Sequence, residues 1–180
     1  VNIDINQIQF DSRTISKGDL FIAISGTQVD GHEFIAKAIE LGATCIICER
    51  LPENIDENLC YVQVSNSAKS LGQLASNFYD EPSSKLKLIG ITGTNGKTTV
   101  ASLLFQLFKE LGYAVGLIST VKYMINDTEA QSTHTTPDAI KLNELIAKMV
   151  ESGCEYCFME VSSHAISQSR IEGLHFAGAA

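Results

Sequence analysis

Apolar positions along this chain follow two rhythms. Short unbroken apolar runs at residues 20–24 (LFIAI), 44–48 (TCIIC) and 61–64 (YVQV) are bounded by polar or glycine-bearing stretches and read as strands. Between the first two, Phe34, Ile35, Ala38, Ile39 and Leu41 fall on one face of a helix over 33–41, and Gly42 reads as its stop. A second helix is predicted over 67–79, where Leu71, Leu74, Ala75 and Phe78 share a face. Residues 80–85 (DEPSSK) combine a proline, two serines and charges, and read as a linker between separately cored domains, 1–84 and 85–180.

The same alternation resumes after it. Strands are expected at 86–91, 114–119, 121–125 and 156–161, helices at 97–111 and 138–151, and a further strand opening at 174–180. A polar loop is expected up to Pro137, with Thr136 as cap of the following helix and Pro137 in its first turn. Strands alternating with helices predict an α/β fold with parallel sheets and crossover helices.

The joint between strand 86–91 and helix 97–111 carries chemistry. It reads Gly90-Ile91-Thr92-Gly93-Thr94-Asn95-Gly96-Lys97-Thr98-Thr99, a glycine-rich loop in the strand–loop–helix setting of a P-loop. Backbone N–H groups and the helix N-terminus form an anion site there. Lys97 supplies a point charge for outer phosphates and the Thr98 hydroxyl can ligate Mg²⁺. The spacing departs from strict GxxxxGK[ST], since position 91 is Ile and the leading glycine is Gly90. A glycine-rich turn capping a helix would explain the glycines but not the Lys-Thr-Thr.

Glu160 ends the apolar run at 156–161, at the carboxyl end of a strand, where doubly wound sheets place their ligands. A carboxylate there can hold the Mg²⁺ that Thr98 also touches. Ser162-Ser163-His164 follows; neighbours in sequence do not give triad geometry, so these read as polar groups lining a cleft. Residues 133–138 (THTTPD) run hydroxyls into a helix start, a second anion-ready end, and Asp11-Ser12-Arg13 in isolation reads as a solvated loop.

Composition narrows the class. A hydrophobic content of 44% and a charged content of 19% suit a packed globular core. A net charge of −8 without any Lys/Arg block argues against a nucleic-acid partner. No run approaches membrane-spanning length and no secretory signal opens the chain, so cytoplasmic placement without membrane insertion is the expectation, and the Asn126-Asp127-Thr128 sequon carries no weight. Cys45 and Cys48, like Cys154 and Cys157, have zinc-knuckle spacing, but residues three apart on a strand face opposite ways, so reduced core thiols are expected. Val1 is not an initiator methionine and Ala180 falls inside an apolar pattern, so the chain is expected to be part of a longer protein.

In order, Asp11-Ser12-Arg13, Gly18-Asp19-Leu20-Phe21, Asp30-Gly31-His32, the 90–99 loop, THTTPD at 133–138 and MEVSSH at 159–164 resemble the Mur ligases of peptidoglycan synthesis, over essentially the whole chain. DSR and GDLF are shared with the ligase that adds the terminal dipeptide. TTPD and EVSSH resemble the type that adds the third residue, diaminopimelate or lysine, to UDP-N-acetylmuramoyl-L-alanyl-D-glutamate. The resemblance implies a small N-terminal UDP-sugar-binding α/β domain followed by the first part of a P-loop ATP-binding domain. It implies that Phe10, Ser12, Thr27, Gln28 and Val29 serve the uridine diphosphate, and that His134, Thr135, Thr136, Ser162, Gln168 and Arg170 serve the sugar-peptide. Gly93, Thr94, Asn95, Gly96, Lys97, Thr98 and Thr99 would bind ATP, Thr98 and Glu160 would hold Mg²⁺, and Lys97 and Glu160 would be catalytic. ATP would phosphorylate the substrate carboxylate, and the amino acid's amine would displace phosphate from the acyl phosphate. The family's later Asp-His motif, carbamoylated lysine and amino-acid-binding domain are not among these 180 residues, so the chain by itself is expected to be inactive, and the intact protein monomeric. Three other readings stand beside this one: the dipeptide-adding Mur ligase, a P-loop kinase or NTPase, and a non-catalytic nucleotide-sugar-binding module.

Overall fold

The apolar runs near residues 20, 45 and 61 pair side by side. The structure, a computed structural model, describes residues 4–26, 29–131 and 135–180. Strands β1 (Ile8–Gln9), β2 (Leu20–Ile22), β3 (Cys45–Cys48) and β4 (Cys60–Gln63) form a parallel sheet in the order β1-β2-β3-β4. Helix α1 (Ile35–Glu40) is shorter than its pattern, because Gly31–Phe34 winds as a 3-10 turn capped by the Asp30 carboxylate. Ile35 and Ala38 of α1 pack on Phe21 and Ile46. Burial pushes the Cys45 thiol up to about 12, as expected of a core thiol, and its strand partner is Cys60.

Asp30-Gly31-His32 is a structural clasp. The Asp30 carboxylate accepts from the His32 backbone and lies 2.7 Å from His32 Nδ1, while His32 Nε2 accepts from the backbone N–H of Glu49 at 2.9 Å. Gly31 donates to the Ile24 carbonyl, and a Cβ placed on it would lie 2.7 Å from both the backbone nitrogen and oxygen of Ile24. Backbone cannot swing aside as a side chain can. Gly31→Ala is therefore expected to destabilise this unit by about 1–3 kcal/mol, measurable as a lower urea midpoint at unchanged slope. A midpoint equal to wild type would mean that the Ile24 backbone yields freely.

The second sheet contains β5 (Lys87–Ile91), β6 (Val115–Ile118), β7 (Lys122–Ile125), β8 (Thr128–Gln131), β9 (Tyr156–Glu160) and β10 (Gly178–Ala179), in the order β10-β5-β9-β6-β7-β8. The first four in that order are parallel, but β6, β7 and β8 run antiparallel. The parallel sheet expected for this half is thus present and is extended by an antiparallel edge, where part of the polar loop before Pro137 is the strand β8. Asn126, at φ 52°, turns the chain between β7 and β8, and its side chain bonds the Val115 N–H and the Ser152 carbonyl.

Helices α2 (Ser67–Phe78), α3 (Lys97–Glu110), α4 (Ala139–Glu151) and α5 (Ser163–Ser167) complete the set. Successive strand residues face opposite helices. Leu117 and Phe158 join Ala101 and Phe105 of α3, whereas Ile118 and Met159 join Leu142, Ile146 and Met149 of α4. Both faces being covered, the central strands read as unbroken apolar runs. Asp138, not Thr136, caps α4: its carboxylate accepts from the Lys141 N–H, and Pro137 lies ahead of the helix. Cys154 precedes β9 rather than lying in it, and its thiol reaches the Asn126 Oδ1.

The chain divides into two compact units, 1–71 and 72–180, the division falling inside α2. Residues 80–85 carry a 3-10 turn at Pro82–Ser84, and the Ser83 hydroxyl accepts from the His175 N–H within the second unit. Among the described residues, no helix is long and apolar enough to cross a membrane.

Candidate functional site

In the second unit, β5 runs straight into the glycine-rich loop, and the loop into α3. Gly96 is the N-cap residue at φ 84°, a left-handed conformation that favours glycine, and no side chain caps the helix. Among the described residues, the first N–H groups of α3 thus have no side-chain cap at the positive end of the helix dipole. A Cβ on Gly96 would meet nothing within 4 Å, so backbone angle rather than crowding requires the glycine. Lys97 folds back, its Nζ donating to the Gly93 carbonyl at 2.6 Å. Gly90, read as the loop's leading glycine, lies within β5, where a Cβ would meet the Phe176 ring at 2.9 Å.

Glu160 stands beside this loop because the sheet register pairs it with Ile91, the last residue of β5. Its side chain is buried with the residue 1% exposed, yet it enters none of the ion pairs found among the described residues. Instead, Oε1 accepts the Thr120 backbone N–H at 2.8 Å, and Oε2 lies 3.2 Å from the Thr120 hydroxyl. Thr120 follows β6, the strand that pairs with β9. Nothing in the sequence patterns singled it out, although a hydroxyl residue beyond a strand's carboxyl end is a usable signal.

A cleft of about 730 Å³ opens over these groups. Thr92, Gly93, Thr94, Asn95, Gly96, Lys97 and Thr98 line one side, and Thr120, Thr135, Glu160, Ser162, Ser163 and His164 line the rest. The volume suits a small-molecule ligand. A carboxylate without a counter-charge among the described residues, lining a cleft shared with Thr98, makes with that residue's hydroxyl an all-oxygen donor set of the kind Mg²⁺ takes, so the residues fit that ion.

The remaining sequence-predicted residues divide three ways. Thr136, Ser162, Gln168 and Arg170 form one network: the Thr136 hydroxyl donates to the Glu160 carbonyl at 2.8 Å and accepts from the Ser162 N–H. Arg170 donates to the Thr136 carbonyl and to Gln168 Oε1. Thr136 is 1% exposed and its hydroxyl is spent on backbone, so it braces the site from behind. Among the described residues the cleft lining does not include Thr99, Thr136, Gln168 or Arg170. Ser162 caps α5, its hydroxyl accepting from the Ala165 N–H.

In the first unit, Ser12 is buried in the turn Ser12–Thr14, while Phe10 and Val29 are exposed, Val29 at 55%. Asp11 caps that turn and pairs bidentately with Arg13, whose hydrogen bonds hold the Asp11 carboxyl below its usual range. Thr27, Gln28 and His134 lie outside the described residues.

The Mur ligase middle domain matches residues 91–180, and the Mur ligase family catalytic domain matches residues 4–79. A UDP-N-acetylmuramoyl-L-alanyl-D-glutamate–2,6-diaminopimelate ligase from Cytophaga hutchinsonii is 58% identical over 178 residues, which is 98% of this chain and 37% of that protein. The chain thus spans little more than a third of that relative's length. A solved ligase of the same name superposes with a TM-score of 0.79 at 24% identity, over 97% of this chain and 35% of the other. A MurF ligase from Thermotoga maritima in complex with ADP gives 0.57 at 25% identity, over 91% and 33%. The glycine-rich loop from Thr92 and the carboxylate beside it both fall in the matched middle domain, and the chain belongs to the Mur ligase family.

Proposed function

We propose that this chain is the nucleotide-binding portion of an ATP-dependent carbon–nitrogen ligase that adds diaminopimelate to UDP-N-acetylmuramoyl-L-alanyl-D-glutamate. The observation that carries it is one cleft shared by a lysine-bearing phosphate loop at a helix N-terminus and a buried carboxylate that enters no ion pair among the described residues. The choice of third residue rests on the name of the 58% identical relative. Residues 85–180 serve ATP and the substrate's peptide end, and 1–84 the UDP moiety through Phe10, Ser12 and the loop Thr27-Gln28-Val29. Thr135, Ser162, His134, Gln168 and Arg170 belong to the sugar-peptide side, and the intact protein works as a cytoplasmic monomer.

In this reading the loop N–H groups from Gly93 to Thr99 and the Lys97 ammonium orient the triphosphate and spread its charge. Thr98 and Glu160 would hold Mg²⁺, which when bound would supply positive charge for phosphoryl transfer. The substrate carboxylate oxygen bonds the γ-phosphorus as ADP leaves. The amine then bonds the acyl carbon, phosphate leaves and the amine gives up a proton. No protein nucleophile is required, which agrees with the Ser162 hydroxyl being committed to capping α5. The full-length protein, given ATP, Mg²⁺, the UDP-linked dipeptide and diaminopimelate, is expected to yield ADP, phosphate and the UDP-linked tripeptide in equal amounts. Phosphorylated product without an amide, or amide formed only with a D-alanyl-D-alanine dipeptide, would overturn the reading.

A further inference from the structure

We infer that Thr120 is a positioning residue: it aims the Glu160 carboxylate at the divalent cation and ties that carboxylate to Thr135. The inference rests on the nucleotide reading of the cleft. Glu160 meets Thr120 through both oxygens, the backbone N–H at 2.8 Å from Oε1 and the hydroxyl at 3.2 Å from Oε2. The Thr120 hydroxyl also lies 3.0 Å from the Thr135 hydroxyl. Proton counting orders this chain. Thr120 has one hydroxyl proton, and with that proton given to Glu160 Oε2 its oxygen accepts from Thr135. Three consequences follow. The carboxylate cannot rotate without breaking two bonds. Each of its oxygens accepts one bond from Thr120 and keeps capacity for a further donor or a cation. Thr135, its proton spent, offers the cleft an acceptor, which suits a ligand O–H or N–H.

Groups that hold a metal-binding side chain in place commonly change metal affinity by about 10–100-fold when removed. The measurement is Mg²⁺ titration of ADP binding by calorimetry on the full-length protein. Thr120→Val keeps the backbone N–H and the side-chain shape but removes the hydroxyl. It is expected to raise the half-saturating Mg²⁺ concentration about tenfold while leaving metal-free ADP affinity unchanged. Thr120→Ser should restore the wild-type midpoint, and Thr120→Ala should repeat the tenfold rise if the valine does not fold. A midpoint unmoved in Thr120→Val, or a serine variant as impaired as the valine, would overturn the positioning role. Metal-free ADP binding lost in proportion would also overturn it, by showing general damage to the cleft. Wild-type protein whose ADP binding ignores Mg²⁺ would overturn the reading of the cleft itself, an outcome visible before any variant is made.

Discussion

Replacing Lys97 by alanine is expected to abolish ligation by the full-length enzyme while sparing its binding of the UDP-linked dipeptide. Among the described residues the ammonium makes one hydrogen bond, to the Gly93 carbonyl of its own loop, so its removal orphans no buried partner. What is lost is a positive charge where phosphate charge spreads during transfer. Deleting one such preorganised donor typically costs about 10²–10³-fold in turnover. The grip on the UDP moiety is assigned to residues 1–84 and should stay. Single-turnover formation of the tripeptide, beside calorimetric binding of the UDP-linked dipeptide, checks both halves. Equal loss of both in a folded variant would show that the division of labour is wrong, and wild-type turnover would remove Lys97 from the mechanism.

What was legible in the chain follows from how each element is stabilised. Strands β3, β6 and β9 stood out because both of their faces are buried, leaving apolar runs, and β5 is buried from Leu88 onward apart from the half-buried Ile89. Strands β1 and β10 have two residues each, too few for any period to register. Strand β8 reads TEAQ, a polar edge whose place is set by the Asn126-Asp127 turn and by pairing with β7, not by its own pattern. The cap of α4 was misplaced because Thr136 and Asp138 both suit the position locally. Tertiary demand decides: the Thr136 hydroxyl is taken by the Glu160 carbonyl and the Ser162 N–H, which leaves Asp138 for the helix.

The site divides along the same line. The phosphate loop and Glu160 are local signals, a glycine-rich joint and an acid ending an apolar run. Thr120 is 40 residues from the carboxylate that it holds, and only the parallel pairing of β6 with β9 brings them together. The roles of Arg170 and Gln168 were taken from resemblance. In the structure Arg170 donates to the Thr136 carbonyl and to Gln168 Oε1, and neither residue is among those that line the cleft.

Glu160→Gln is the substitution expected to separate charge from shape. The amide keeps the carboxylate's size, so its oxygen can still accept the Thr120 N–H while its nitrogen donates to the Thr120 hydroxyl. Folding should not suffer. Glu160 is buried and has no cationic partner among the described residues, which is costly, so neutralising it leaves the melting temperature unchanged or raises it. Cation binding, in contrast, depends on the charge that is removed. Mg²⁺ should no longer strengthen ADP binding, and ligation by the full-length enzyme should fall by at least about 10²-fold. Thermal melts, Mg²⁺ titrations of ADP binding and tripeptide formation would together read the outcome. A variant that melts several degrees lower yet keeps its Mg²⁺ dependence would mean that Glu160 serves the fold as an acceptor for Thr120, and that the cation is held elsewhere.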